Sequence, residues 1–130
     1  MSTLRQLGSA KYALLTTFRR DGRAVPTPLW VVPDGAGCAF WTPRDSGKVK
    51  RIRRDGQVTV AACDFRGTTS GEPVAARARL GDDEDLRRVR RALAGKYGLI
   101  GRLTLAGSRL RRGTAGQVAI LVEPADVEPA

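Results

Sequence analysis

The sequence predicts an α+β, mainly β domain: an antiparallel sheet or barrel with helices laid against it. Three observations carry this expectation. The elements run β-β-β-α-β-β-α-α-β, without the regular β-α alternation of a parallel sheet. Asp21-Gly22 lies between two apolar, β-branched runs, which is the strongest short-range hairpin signal. No Gly-x-Gly-x-x-Gly follows a strand, which argues against a doubly wound dinucleotide fold. With 130 residues the chain makes one domain, expected over residues 1–122, with residues 123–130 as an acidic, frayed tail.

Each element has a local reason. Thr3 to Gly8 reads as a short helix capped by Ser2 or Thr3 and stopped by the glycine. Tyr12 to Phe18 is a strand, and its return, Ala24 to Val32, contains Pro26 and Pro28. Proline has no N–H to give a ladder, and two of them at i and i+2 leave one side of the segment as an edge that suits a ligand. Pro33 to Gly37 turns the chain into a third strand, Gly37 to Thr42, and the three strands are expected to form one meander. A basic helix then runs from Ser46 to about Arg54, with Val49 and Ile52 toward the sheet and Asp55-Gly56 closing it. Residues 57–64 and 74–80 are strands around a Gly/Pro loop. Gly81-Asp-Asp-Glu-Asp85 opens a helix with a buried stripe of Leu86, Val89 and Leu93, and Asp83–Arg87 and Glu84–Arg88 are four apart on its surface. Lys96-Tyr-Gly98 ends it. Leu99, Leu103, Ala106 and Leu110 mark another helix, and Gln117 to Val122 the last strand.

The totals narrow the chemistry. There is no histidine, which removes Ser-His and Cys-His nucleophiles and the commonest metal ligand, so no metal site is expected and any reaction leans on a cofactor. Cys38 and Cys63 stand alone in apolar runs and read as reduced core thiols. No apolar run approaches a membrane span and the first residues lack a signal-peptide core, so a cytoplasmic protein is expected. The net charge of +10 attracts polyanions, whether nucleic acid, phosphorylated cofactor or acidic membrane. Aromatics make up only 5%, leaving few base-stacking platforms, which weighs against nucleic acid.

The charge concentrates where a strand runs into a helix. Between Arg44 and Arg54 stand six cations against one anion, Asp45. Free N–H groups at the Ser46-Gly47 helix start and the positive end of the helix dipole point the same way, which makes an anion site. Ser46-Gly47-Lys48 is not a Walker loop, because Thr42 stands where the leading glycine belongs and no Ser/Thr follows Lys48.

An aromatic-Thr strand end (Trp41-Thr42) followed by Ser-x-Lys on an Arg-bearing helix resembles the pyridoxamine-phosphate-oxidase-like superfamily of split β-barrels with an FMN-binding-like fold. Within it the chain is most similar to the deazaflavin (coenzyme F-420)-dependent oxidoreductases, over about Ser9 to Leu121. Thr16-Thr-Phe18, Arg23-Ala-Val-Pro-Thr-Pro-Leu-Trp30, Ser46-Gly-Lys-Val-Lys-Arg-Ile52, Lys96-Tyr-Gly98 and Gly116-Gln-Val-Ala-Ile120 carry the likeness. Flavin-binding oxidases have an Arg and a Lys on the second strand; Val25 to Trp30 has neither, which favours the deazaflavin branch. The resemblance implies a homodimer with cofactor clefts at the subunit interface, and hydride transfer between coenzyme F-420 (8-hydroxy-5-deazaflavin) and a small unsaturated substrate. Ser46, Gly47, Lys48, Lys50 and Arg51 would hold the phosphate, while Arg44 and Arg54 steer the acidic tail. Val25, Pro26, Thr27, Pro28 and Leu29, with Trp41 and Thr42, would lie along the ring, although Trp30 and Trp41 are equally consistent with core packing. No catalytic residue follows from the motifs; Lys96 and Tyr97 are the candidate proton donors. FMN in the same barrel is the alternative cofactor, and haem ranks last without a histidine ligand.

Overall fold

The computed structural model describes residues 3–112 and 116–125, with side chains described outside 99–115. Its strands are β1 (Tyr12–Phe18), β2 (Ala24–Leu29), β3 (Val32–Asp34), β4 (Gly37–Pro43), β5 (Gln57–Cys63), β6 (Val74–Leu80) and β7 (Gln117–Pro124). The helices are α1 (Leu4–Leu7), α2 (Gly47–Arg54) and α3 (Asp83–Arg112). All seven strands form one antiparallel sheet in the order β2-β1-β5-β6-β7-β4-β3, curled into a half-barrel. Among the described residues no helix is long and apolar enough to cross a membrane.

Side-chain alternation gives the sheet two faces and two cores. Ala13, Leu15, Phe40, Val58, Val60 and Ile120 pack inside the curl with Leu4 and Leu7 of α1 and Ile52 of α2. On the outside, Leu86, Val89 and Leu93 of α3 pack on Val32, Ala39 and Leu121, joined by Trp30, Trp41 and Tyr97. The cysteines are both free and buried, and burial pushes the Cys38 thiol up to about 12, so it stays protonated.

The expected single meander is corrected. The run from Ala24 to Val32 breaks at Trp30-Val31, so β2 pairs with β1 at one end of the sheet while β3 pairs with β4 at the other. The break is held by α3. Tyr97 Oη accepts the Val31 N–H at 3.1 Å and donates to Lys11 O at 2.7 Å, while the Tyr97 ring stacks on Trp30 at 4.5 Å. Lys96 Nζ donates to the carbonyls of Gly8 (2.7 Å), Ala10 (2.6 Å) and Val31. Burial lowers the Lys96 amine to about 8, but three carbonyl acceptors oppose that by holding its charged form. Tyr97→Phe strands the buried Val31 N–H and is expected to cost about 1–3 kcal/mol; a loss under about 0.5 kcal/mol in urea unfolding would show that the clamp is not needed.

Other local expectations shift for identifiable reasons. Asp82 and Asp85 cap α3 reciprocally at 2.8 and 2.9 Å, which leaves Asp85 rather than Glu84 to pair with Arg88, at 2.8 Å. Arg88 also reaches Asp34 at 3.1 Å, tying α3 to β3. Gly98 takes a left-handed φ of 63° and breaks α3 where Lys96-Tyr-Gly98 is expected to end a helix. Helical backbone resumes to Arg112; the stripe expected on Leu99 to Leu110 lies outside the described side chains. Gly56 keeps a negative φ, so its role is space: a Cβ there would stand 2.7 Å from Ala78 O of β6. Strand β7 runs past the expected boundary to Pro124, with Glu123 paired to Arg79 at 3.2 Å; residues 126–130 lie outside the described part.

Candidate functional site

Helix α2 follows β4 after a three-residue turn, so its amino end opens beside the end of that strand. Ser46 is the N-cap in extended conformation, yet its side chain makes no cap bond to the helix. Its hydroxyl instead meets Thr42 Oγ1 at 3.4 Å, and Thr42 is 1% exposed on the inner face of β4. The leading N–H groups of α2 are therefore free of a side-chain cap, at the positive end of the dipole.

Arg51 folds back over this end. A Cβ on Gly47 would stand 2.9 Å from Arg51 Nη1, so glycine is what lets the guanidinium lie there. Arg51 Nε donates to Thr17 Oγ1 at 2.7 Å, and Thr17, on β1, is only 2% exposed. No described residue accepts from the Nη nitrogens. Burial, then Arg19 and Arg54, make the charged form of Arg51 harder to keep. Lys48 is half-buried, and burial followed by Arg51 lowers its amine from the usual value. Partly buried cations that repel their neighbours suit an anionic ligand. A groove of about 470 Å³ continues from Arg51 between Lys50, Arg54, Arg19 and Arg20. Its one acid, Asp21, is held by Arg23 at 2.9 Å.

Thr42 stands beside Ser46, Gly47 under Arg51, and Lys50, Arg51 and Arg54 along one groove, with Lys48 near enough to Arg51 to feel its charge. Arg54 turns toward the hairpin and donates to Phe18 O. Strand β2 is the end strand of the sheet, as its prolines require. Register with β1 puts Val25, Thr27 and Leu29 opposite Thr17, Leu15 and Ala13, on the inner face; Pro26 and Pro28, opposite Thr16 and Leu14, face outward. The ring-side set therefore divides, with only its odd-numbered β2 members on the site's face. Trp41 lies on the outer face of β4, against α3 and away from Thr42. Its buried Nε1 has no hydrogen-bond partner. Arg44 is drawn to β7 instead of the groove, through its own N–H to Gly116 O (2.8 Å) and its guanidinium to Gln117 O (3.2 Å). Lys96 and Tyr97 sit at the Tyr12 end of β1, about 17 Å of strand from Thr17, and serve the clamp described above.

The family model of pyridoxamine 5'-phosphate oxidase matches residues 3–129. The chain belongs to this family. No curated protein matches its sequence. Solved structures share the fold: the conserved hypothetical protein Rv2991 from Mycobacterium tuberculosis is 20% identical, with a TM-score of 0.66, 92% of this chain and 76% of that chain covered. An F420 reductase is 17% identical, TM-score 0.60, with 96% of this chain and 95% of that chain covered. The haem storage protein HutZ from Vibrio cholerae is 14% identical, TM-score 0.62, with 89% and 82% covered. Proteins with such different names share this scaffold, so function is read from the site.

Three site residues receive no role from the motifs. Thr17 stands in Thr16-Thr-Phe18, a segment that carries the likeness, but only the fold puts its hydroxyl under Arg51. Arg19 and Arg20 lie beside the Asp21-Gly22 turn, and only the β1–β2 hairpin carries them to α2.

Proposed function

We propose that this chain is an oxidoreductase that binds coenzyme F-420 and passes hydride to or from a small unsaturated organic substrate. The observation that carries this is the Arg51 guanidinium with unpartnered Nη donors at the start of α2, opening into a long cationic groove. A phosphodiester fits the first part and a carboxylate tail the second. When bound, the deazaflavin ring supplies the hydride chemistry. The chain binds and orients: Ser46 and the Gly47 and Lys48 N–H groups with Lys48 and Arg51 hold the phosphate. Arg19, Arg20, Lys50 and Arg54 line the tail path, while Val25 and Thr27 flank the ring without a cation. A homodimer would close the cleft; the partly exposed Tyr12, Leu14 and Phe18 on the outer face of β1 give a second copy apolar surface to bury.

FMN is the second reading, favoured by the same phosphate-sized end of the site and by family membership. Equilibrium binding separates the two. Fluorescence titration is expected to give tighter binding for coenzyme F-420 than for FMN, with the difference shrinking in high salt as the groove is screened. Tighter FMN binding moves the protein to the second reading, and binding of neither overturns both.

A further inference from the structure

We propose that Thr17 is a positioning residue for anion recognition: by accepting the Arg51 Nε–H it fixes the guanidinium across Gly47, so that both Nη nitrogens meet the phosphate of the bound cofactor. The proposal rests on the site reading above and adds a residue outside it. Its grounds are geometric. A guanidinium carries five donors in a rigid fork, and at this half-buried site only Nε is satisfied among the described residues. Arginine side chains have several rotatable bonds, and holding one loses rotamer freedom unless a partner fixes it in advance. Thr17 supplies that partner at 2.7 Å from a strand, while its own 2% exposure and β-branching leave the hydroxyl little choice of direction. Gly47 supplies the other wall, since any Cβ would displace Nη1. Thr17, Gly47 and Arg51 thus act as one unit, and the phosphate meets a fork already in place.

The test uses Thr17→Val, which keeps shape and burial while deleting the acceptor, with Thr17→Ser as rescue. FMN and riboflavin are compared with coenzyme F-420, because FMN and riboflavin differ only in the phosphate. Thr17→Val is expected to weaken FMN and coenzyme F-420 about tenfold, the worth of a charge-assisted bond, to leave riboflavin unchanged, and to recover with Thr17→Ser. In an Arg51→Ala background it is expected to do nothing further, because it acts through Arg51. Unchanged FMN affinity, an equal loss for riboflavin, or a full additional loss without Arg51 would each overturn the proposal. If the wild type binds neither cofactor, the functional reading fails on its own. The inference is then read from thermal stabilisation by inorganic pyrophosphate, expected in the wild type and diminished in Thr17→Val. Equal stabilisation in both, or none in the wild type, overturns it.

Discussion

Replacing Gly37 by alanine is expected to cost about 3 kcal/mol or more, at or beyond the upper end of overpacking penalties. An added Cβ would lie 1.8 Å from Val122 O and 2.9 Å from Val122 C. Both are backbone atoms of β7, so no rotamer change relieves the contact. Gly37 opens β4, pairs with Asp34 of β3, and adjoins the Cys38↔Val122 rung of the β4–β7 ladder. Pushing the strands apart there loosens the ladder that carries Phe40 into the inner core and Thr42 to the site. Two other glycines set the scale. Gly35 has open space but a φ of 58°, so Gly35→Ala is expected to cost about 1 kcal/mol from left-handed strain. Gly71 has neither constraint, and Gly71→Ala is expected to be near neutral. Urea unfolding of the three variants checks the order; a Gly37→Ala protein as stable as Gly71→Ala would mean that β4 and β7 are not held at this spacing.

The same strands show what the sequence makes legible and what it hides. Local chemistry is read correctly: Thr3 caps α1 through a box with Gln6, Val49 and Ile52 are the buried pair of α2, and Gly98 breaks α3. Those features depend on residues within one or two turns of each other. The β2–β3 break is different, because nothing between Trp30 and Val32 signals it. It is imposed by Lys96 and Tyr97, 65 and 66 residues away from Val31 in the chain. Facing is lost for a similar reason. The motif puts Trp41 and Thr42 side by side, but a strand points neighbours to opposite faces, so one serves α3 and the other the site. The basic cluster is legible as charge, whereas the groove needs the β1–β2 hairpin to bring Arg19 and Arg20 alongside Lys50 and Arg54. Arg88 shows the limit of counting helix spacings, since its second carboxylate comes from β3.

Removing the cations at the head of α2 is expected to be the largest change to ligand binding. Lys48→Ala or Arg51→Ala should each cost about 1.5–3 kcal/mol of cofactor affinity, the usual worth of a hydrogen bond to a charged group. The pair should cost less than the sum. In the free protein Arg51 helps to lower the Lys48 amine, so deleting Arg51 relieves Lys48 before any ligand arrives. The same lowering fixes a pH dependence. Lys48 in the free protein titrates below 10.5, chiefly through burial, and a bound anion favours its charged form and moves the titration back up. Binding therefore takes up protons between those two values, and affinity falls as pH rises through that window, by at most about tenfold per unit. Lys48→Met removes the group, so the difference between wild type and variant isolates its slope from any titration of the ligand itself. A wild-type profile that parallels Lys48→Met throughout the alkaline range would take Lys48 out of contact with the anion and leave Arg51 as its holder.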